Sequence, residues 1–267
     1  MATISYKAEA ADLNFVDTGN RNGIPIVFVH AFPLNQAMWN EQVKALKGAY
    51  RVVTFDIRGF GKSESTHPYT LEFVVDDLID LLDKLKINKT VICGLSMGGF
   101  VALRALERNP NRFLAAILAD TKSEADSDKS KIGRYEALRE IQTSGLSTFV
   151  DNFIKRSAAP DTQTHNPALF ECMIRLAMSN TAVGVQAGLL ALTSRTDTTQ
   201  ALEKISVPTL VIQGEYDSVI SKDSAKALTE KIKGSEFYLV PGAGHLSNLD
   251  NAPAFNARVL DFLAKLK

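Results

Sequence analysis

Cysteine is scarce: only Cys93 and Cys172 occur in 267 residues, too few for a disulfide framework and without the His or Cys spacing of a metal cluster. Such sparing use fits a reducing, cytoplasmic setting. An excess of charge of either sign is also missing, since thirty basic residues balance thirty acidic ones. No whole-molecule field therefore favours nucleic acid or an anionic membrane, and a small, weakly charged or uncharged molecule is the expected partner. Long apolar runs are absent too. The longest, Ile24 to Phe32, is interrupted by Pro25 and His30 and falls short of the roughly 20 residues a membrane helix needs. Met1 to Asp12 has a short strand-like pattern with Lys7 and Glu9 in it and no apolar h-region, which argues against a signal peptide. Internal repeats, low-complexity tracts and the phosphate-cradling G-x-x-x-x-G-K-[ST] pattern do not occur. No metal or organic cofactor is called for.

What the chain does have is apolar residue in quantity, 45% of the total, enough for one large α/β domain or a domain with an insertion. Short β-rich runs at Ile26 to Val29 and Val52 to Phe55 precede a helical face marked by Leu71, Val74, Val75, Leu78, Leu82 and Leu85. Then come Val91 to Cys93, a helix from Met97 stopped by Asn109-Pro110, and a strand at Ala115 to Ala119. Alternation of this kind predicts a mostly parallel, doubly wound sheet. From residue 121 to 199 the strands vanish. Helical segments fall at Ile132 to Ile141, Leu146 to Ser157, Ala168 to Met178 and Val183 to Leu192, after a charged, Ser-rich linker at Ser123 to Lys131. This stretch is expected to form a helical cap on a core made of residues 1–120 and 200–267. The sheet resumes with Thr209 to Gln213 and Glu236 to Val240, and a helix from Pro253 to Leu266 closes the chain.

The most informative stretch is Gly94-Leu95-Ser96-Met97-Gly98, with the β-branched run Thr90-Val91-Ile92 before it and a helical pattern after it. A serine on a sharp strand-to-helix turn has its hydroxyl pushed out of the fold, and small neighbours let the turn close. Ser96 then needs a base, and the base needs a carboxylate to hold its tautomer. Catalytic groups in open α/β sheets sit beyond the carboxyl ends of strands. His245, in the loop Pro241-Gly242-Ala243-Gly244-His245, and Asp217, at the end of Gly214-Glu215-Tyr216-Asp217, both follow predicted strands. Asp120 rivals Asp217 as the acid, Glu215 more weakly, and Asp217 could instead serve only as a turn residue beside a helix starting near Ser221. His30, His67 and His165 read as structural or surface residues, although His30 can organise the loop that follows it. Backbone N–H groups of Met97 and of Phe32, in His30-Ala31-Phe32-Pro33, are the expected oxyanion donors. Pro33 would hold Phe32 in an extended conformation.

On the strength of His30-Ala31-Phe32-Pro33, Asp56-Ile57-Arg58-Gly59-Phe60-Gly61-Lys62-Ser63, the elbow at Ser96, and Gly214 to Asp217 followed by Gly244-His245, the chain resembles the α/β-hydrolase superfamily over essentially its whole length. The resemblance implies an eight-stranded, mostly parallel sheet with a cap, and a purely structural turn at Asp56 to Ser63. Ala31 stands where the family usually has Gly, so a positive φ there would be strained. Ser96 argues against the Asp-nucleophile dehalogenases and epoxide hydrolases of this fold. The subgroup that looks most similar holds small bacterial carboxylesterases, enol-lactonases and cofactor-free perhydrolases.

The implied reaction is acyl transfer to Ser96 from a small ester or lactone, then release by water, or by hydrogen peroxide in a side reaction. A 3-oxoadipate enol-lactonase-like activity, a hydroxynitrile-lyase-like activity and a ligand receptor are the alternatives. Phe149, Phe153, Phe170, Met173, Ile174, Met178 and Leu189 are expected mainly as the core of the cap. Arg134, Arg139, Arg156, Arg175 and Arg195 are expected in solvent, which favours a short apolar ester; one of them facing the pocket would favour a carboxylate-bearing substrate. Cys93 and Cys172 should both be inert core residues. Oligomeric state is left open, a homodimer included.

Overall fold

The computed structural model describes residues 12–64 and 68–266. The strand-like pattern expected within Met1 to Asp12 and the reading of His67 fall outside those residues, Asp12 apart. Seven strands form one sheet in the order β1-β3-β2-β4-β5-β6-β7. They are β1 (Phe15–Gly19), β2 (Pro25–Val29), β3 (Arg51–Phe55), β4 (Thr90–Leu95), β5 (Phe113–Ala119), β6 (Thr209–Gly214) and β7 (Glu236–Val240). Only β1 runs antiparallel, against β3, so the sheet is mostly parallel. The described residues thus supply seven of the eight strands the resemblance implies.

Sequence dictates this layout through burial. All six residues of β4 and all six of β6 are buried, as expected of parallel strands covered on both faces. The helices α1 (Asn40–Leu46), α2 (Leu71–Lys84) and α3 (Met97–Arg108) connect the first strands. On α2 the face Leu71, Val74, Val75, Leu78, Leu81 and Leu82 is buried, worth on the order of 10 kcal/mol gross at roughly 1.5–3 kcal/mol per side chain, most of it offset by chain ordering. β2 and β4 are neighbours although β3 lies between them in sequence. Their carboxyl ends mark the point where sheet growth reverses, the place where open α/β sheets form a crevice.

Between β5 and β6 the chain is helical, with α4 (Asp128–Ser157), α5 (Pro160–His165), α6 (Pro167–Met178) and α7 (Ala182–Thr193). The two helices expected at 132–141 and 146–157 are the arms of α4, broken at Gly145, whose φ of 88° leaves the helical region. The supposed linker is shorter than expected. Ser127 accepts the Ser130 N–H and starts α4 at Asp128, because Ser is a strong N-cap, while the Ser123 carbonyl accepts from Thr198. α8 (Lys222–Lys231), the single turn α9 (Ser247–Asp250) and α10 (Ala252–Ala264) complete the fold. Among the described residues no single helix is long and apolar enough to cross a membrane.

Candidate active site

Ser96 sits at the turn from β4 into α3 with φ 53° and ψ −111°, a left-handed-side conformation that a non-glycine residue keeps only where its surroundings over-determine it. Its neighbours must be small. A Cβ on Gly94 would lie 2.1 Å from the Gly98 carbonyl oxygen, and one on Gly98 would lie 2.0 Å from that of Val29. The second contact presses the first turn of α3 onto the end of β2, bringing the His30 to Pro33 loop beside Ser96. Met97 opens α3, so its N–H has no acceptor within the helix. Phe32 is buried in the adjacent loop, and its peptide to Pro33 is cis. Ala31 does not take the positive φ that would be strained there: among the described non-glycine residues, positive φ occurs at Lys86, Ser96 and Asp120.

His245 reaches Ser96 from the other side. Its Nε2 lies 2.9 Å from Ser96 Oγ and its Nδ1 lies 3.0 Å from Asp217 Oδ2. A carboxylate can only accept. In the neutral imidazole the proton therefore belongs on Nδ1, which leaves the Nε2 lone pair facing the serine hydroxyl. The side chains of His245 and Asp217 are both inaccessible to solvent. Asp217 also accepts from the Val219 and Ile220 N–H groups on Oδ1 and from Gln213 Nε2 on Oδ2. It is thus a turn residue and a histidine partner at once, whereas the start of α8 is capped by Ser221.

The rival acids stand elsewhere. Asp120 is fully buried, accepting the Gly214 N–H at 2.7 Å and a hydrogen bond from Ser247. Burial first, and then the nearby Asp217 charge, push its carboxyl well above the usual range. Glu215 accepts the Gly242 N–H in an exposed loop. His30 also proves structural: Nδ1–H donates to the Ala31 carbonyl, Nε2 accepts the Ile57 N–H at 2.9 Å, and burial pulls the imidazole down to about 4. The Asp56 to Ser63 turn is stapled by its own bonds. Asp56 accepts from Asn14, Gln36 and Lys62, while Arg58 binds Asp77 in bidentate fashion.

A cavity of about 320 Å³ opens over Ser96 and His245, at the low end of the roughly 300–1,000 Å³ of small-molecule sites. Phe149, Phe153 and Leu189 line it, so these three are wall residues rather than helix core alone, and Phe32 meets Phe153 edge to face at 5.6 Å. The arginines divide. Arg139, Arg156 and Arg175 are exposed as expected, although Arg156 also borders the cavity; Arg134, half-buried, lines it and Arg195 is buried. Asp126 is held by Arg134 and Arg195. Burial raises its pKa, yet the two guanidinium groups win and lower it overall. Lys122, half-buried in the same wall, has no ion-pair or hydrogen-bond partner for its ammonium among the described residues. Burial and then Arg195 lower its pKa. Cys93 is buried, whereas Cys172 is partly exposed on α6, contrary to expectation. Among the described residues no group of three or more His, Cys, Asp or Glu is placed to hold a metal ion.

Sequence reasoning missed Gln213, Lys122 and Asp250. Asp250 accepts the N–H groups of Gly244 and Ala159 and the hydroxyl of Thr162, while the His245 N–H donates to the Ser157 carbonyl at 2.8 Å. Burial raises the Asp250 carboxyl. None of these bonds has a local sequence signal.

A serine on an elbow at the switch point of such a sheet, with a histidine and an aspartate from later strand ends, is what an α/β hydrolase would present. A family model described as the alpha/beta hydrolase fold matches residues 24–252, and the chain belongs to that family. It is similar to 3-oxoadipate enol-lactonase 1 of Acinetobacter baylyi, 32% identical over 237 residues, which cover 89% of this chain and 87% of the relative. Among solved structures it is similar to a malate-bound thermophilic esterase from Thermogutta terrifontis (TM-score 0.91, 32% identity, 96% of this chain and 94% of that one). It is also similar to the enol-lactonase from Burkholderia xenovorans LB400 (TM-score 0.89, 28% identity, 96% and 98%).

Proposed function

We propose that this chain is a serine hydrolase that cleaves small carboxylic esters through an acyl-enzyme on Ser96. The observation that carries the reading is the unbroken hydrogen-bond chain from Ser96 Oγ through His245 to Asp217 at the floor of a small, aromatic-walled cavity. Nε2 of His245 takes the serine proton as Oγ attacks the carbonyl carbon, and Asp217 holds the resulting imidazolium. The amides of Met97 and Phe32 receive the oxyanion. His245 then returns the proton to the leaving alcohol, and water repeats the sequence on the acyl-enzyme. In this reading residues 121–199 act as the cap that sizes the substrate, over a core of residues 1–120 and 200–267. The cytoplasm suits two unpaired cysteines.

A second reading, a lactonase acting on a carboxylate-bearing ring, is favoured by Lys122, a cation in the cavity wall with no partner of its own, and by the enol-lactonase relatives. One panel tests both. A p-nitrophenyl ester series from acetate to dodecanoate, with neutral and carboxylate-bearing members of equal size, is assayed on wild type, Ser96→Ala and Lys122→Glu. Turnover should vanish in Ser96→Ala, by roughly 10⁴-fold or more, with acyl-Ser96 visible as a burst in wild type. A lyase or a receptor gives no burst. A rise in KM for the anionic members alone in Lys122→Glu supports the lactonase; equal effects on both kinds leave the simple esterase.

A further inference from the structure

Phe100 stands between two cavities. It is the fourth residue of α3, its backbone N–H on the Ser96 carbonyl at 3.1 Å, and its side chain is nearly buried. Phe100 lines the cavity over Ser96. It also lines a second cavity of about 240 Å³, bounded by Thr70, Leu71, Arg104, Ser194 and Arg195 among others. Phe100 is the residue that borders both. The ring is clamped from the far side, where the Arg195 guanidinium carbon lies 3.9 Å from its centroid. Arg195 is tied in turn to Asp126 at 2.9 Å, and the two side chains are 4% and 3% exposed. An aromatic ring stacked under a desolvated, ion-paired guanidinium is a fixed wall rather than a mobile one. Behind it, Arg104 and Glu72 neutralise each other at 2.9 Å, so an alkyl chain entering there would lie beside Leu71, Thr70 and Thr198 and along Arg195.

We infer that Phe100 is the specificity-determining residue for substrate length: it ends the Ser96 cavity at short acyl chains, and a smaller side chain at this position opens that cavity into the second one. This rests on Ser96 being the acylated residue. A ring that merely filled core would, when trimmed, lower turnover of all esters alike. A partition, when trimmed, changes the ratio between long and short ones, because each methylene admitted to an apolar pocket is worth roughly tenfold or more.

The test compares kcat/KM for p-nitrophenyl butanoate and octanoate in wild type, Phe100→Ala and Phe100→Leu. The leucine variant keeps most of the buried volume and carries the test should the alanine variant fail to melt as a folded protein. In parallel, calorimetry measures butanoate and octanoate binding to Ser96→Ala and to Ser96→Ala/Phe100→Ala or Ser96→Ala/Phe100→Leu. The octanoate-to-butanoate ratio should rise at least about tenfold in Phe100→Ala and less in Phe100→Leu, with binding moving the same way. An unchanged ratio in both assays in a folded variant overturns the inference. A binding preference that moves toward octanoate while no protein hydrolyses either ester upholds the partition and removes the esterase reading instead.

Discussion

Two loops of this molecule carry a fully buried histidine at the end of a parallel strand, and they use it in opposite ways. After β2, His30 gives one ring nitrogen to the Ala31 carbonyl and the other to the Ile57 N–H. Both partners are backbone, so the ring is a tie between two loops and has no free valence. After β7, His245 faces two side chains, the acceptor Asp217 and the hydroxyl of Ser96. Backbone partners do not exchange a proton with the ring or bond to a substrate; a serine hydroxyl can do both. Burial and position alone would not separate the two histidines. The identity of the groups on either side of each ring does.

The largest break in that comparison should come at Asp217, the orienting carboxylate of the proposed mechanism. Asp217→Asn leaves the size of the side chain intact but allows the wrong tautomer of His245, and kcat should fall by roughly 10⁴-fold with little change in Tm. Asp120→Asn should stay within about tenfold of wild type, since Asp120 touches Gly214 and Ser247 and not His245. The opposite result would move the acid role to Asp120.

His30 should show its difference in stability rather than in rate. Held at about 4 in the folded chain against an ordinary 6.5, it favours the fold fully above pH 6.5. That advantage is lost as pH falls toward 4, by about 3 kcal/mol. Urea unfolding of His30→Gln at pH 8, 6 and 5 should show this part of the acid sensitivity gone; a slope equal to wild type would mean His30 is not neutral in the fold. The smallest effect is one of sign. The Asp120 carboxyl is raised, so its contribution is present at low pH and drains away as pH climbs above the unfolded value. The Tm of Asp120→Asn minus that of wild type should therefore grow between pH 5 and pH 8, and a constant difference would argue that Asp120 is ionised throughout.

What the sequence made legible is what spacing and order encode. Gly94 and Gly98 flank Ser96 at fixed offsets because the elbow needs room within five residues, and Asp217 and His245 follow strands whose β-rich runs are local. The antiparallel β1 is an edge strand of mixed burial and gave no clear period. Gly145 is one glycine among 16, and nothing nearby announces that it breaks a helix. Asn180 donates to the Pro33 carbonyl and accepts the Gly61 N–H across more than a hundred residues. Asp126 is held by Arg195 from 69 residues away, and Asp250 accepts from Ala159 and Thr162 across 91 and 88; tertiary geometry of this kind leaves no periodic trace in a single chain.

The Ser157 carbonyl and the Asp250 carboxylate fasten the His245 loop to the junction of α4 and α5. Anyone exchanging the helices between β5 and β6 for those of a relative is thus transplanting part of the histidine's scaffold. A graft that spares residues 157–162 keeps the imidazole seated over Ser96 while its walls change. A graft that replaces them alters the seat along with the walls, so a lost activity in such a chimera would say nothing about the substrate it was designed to accept.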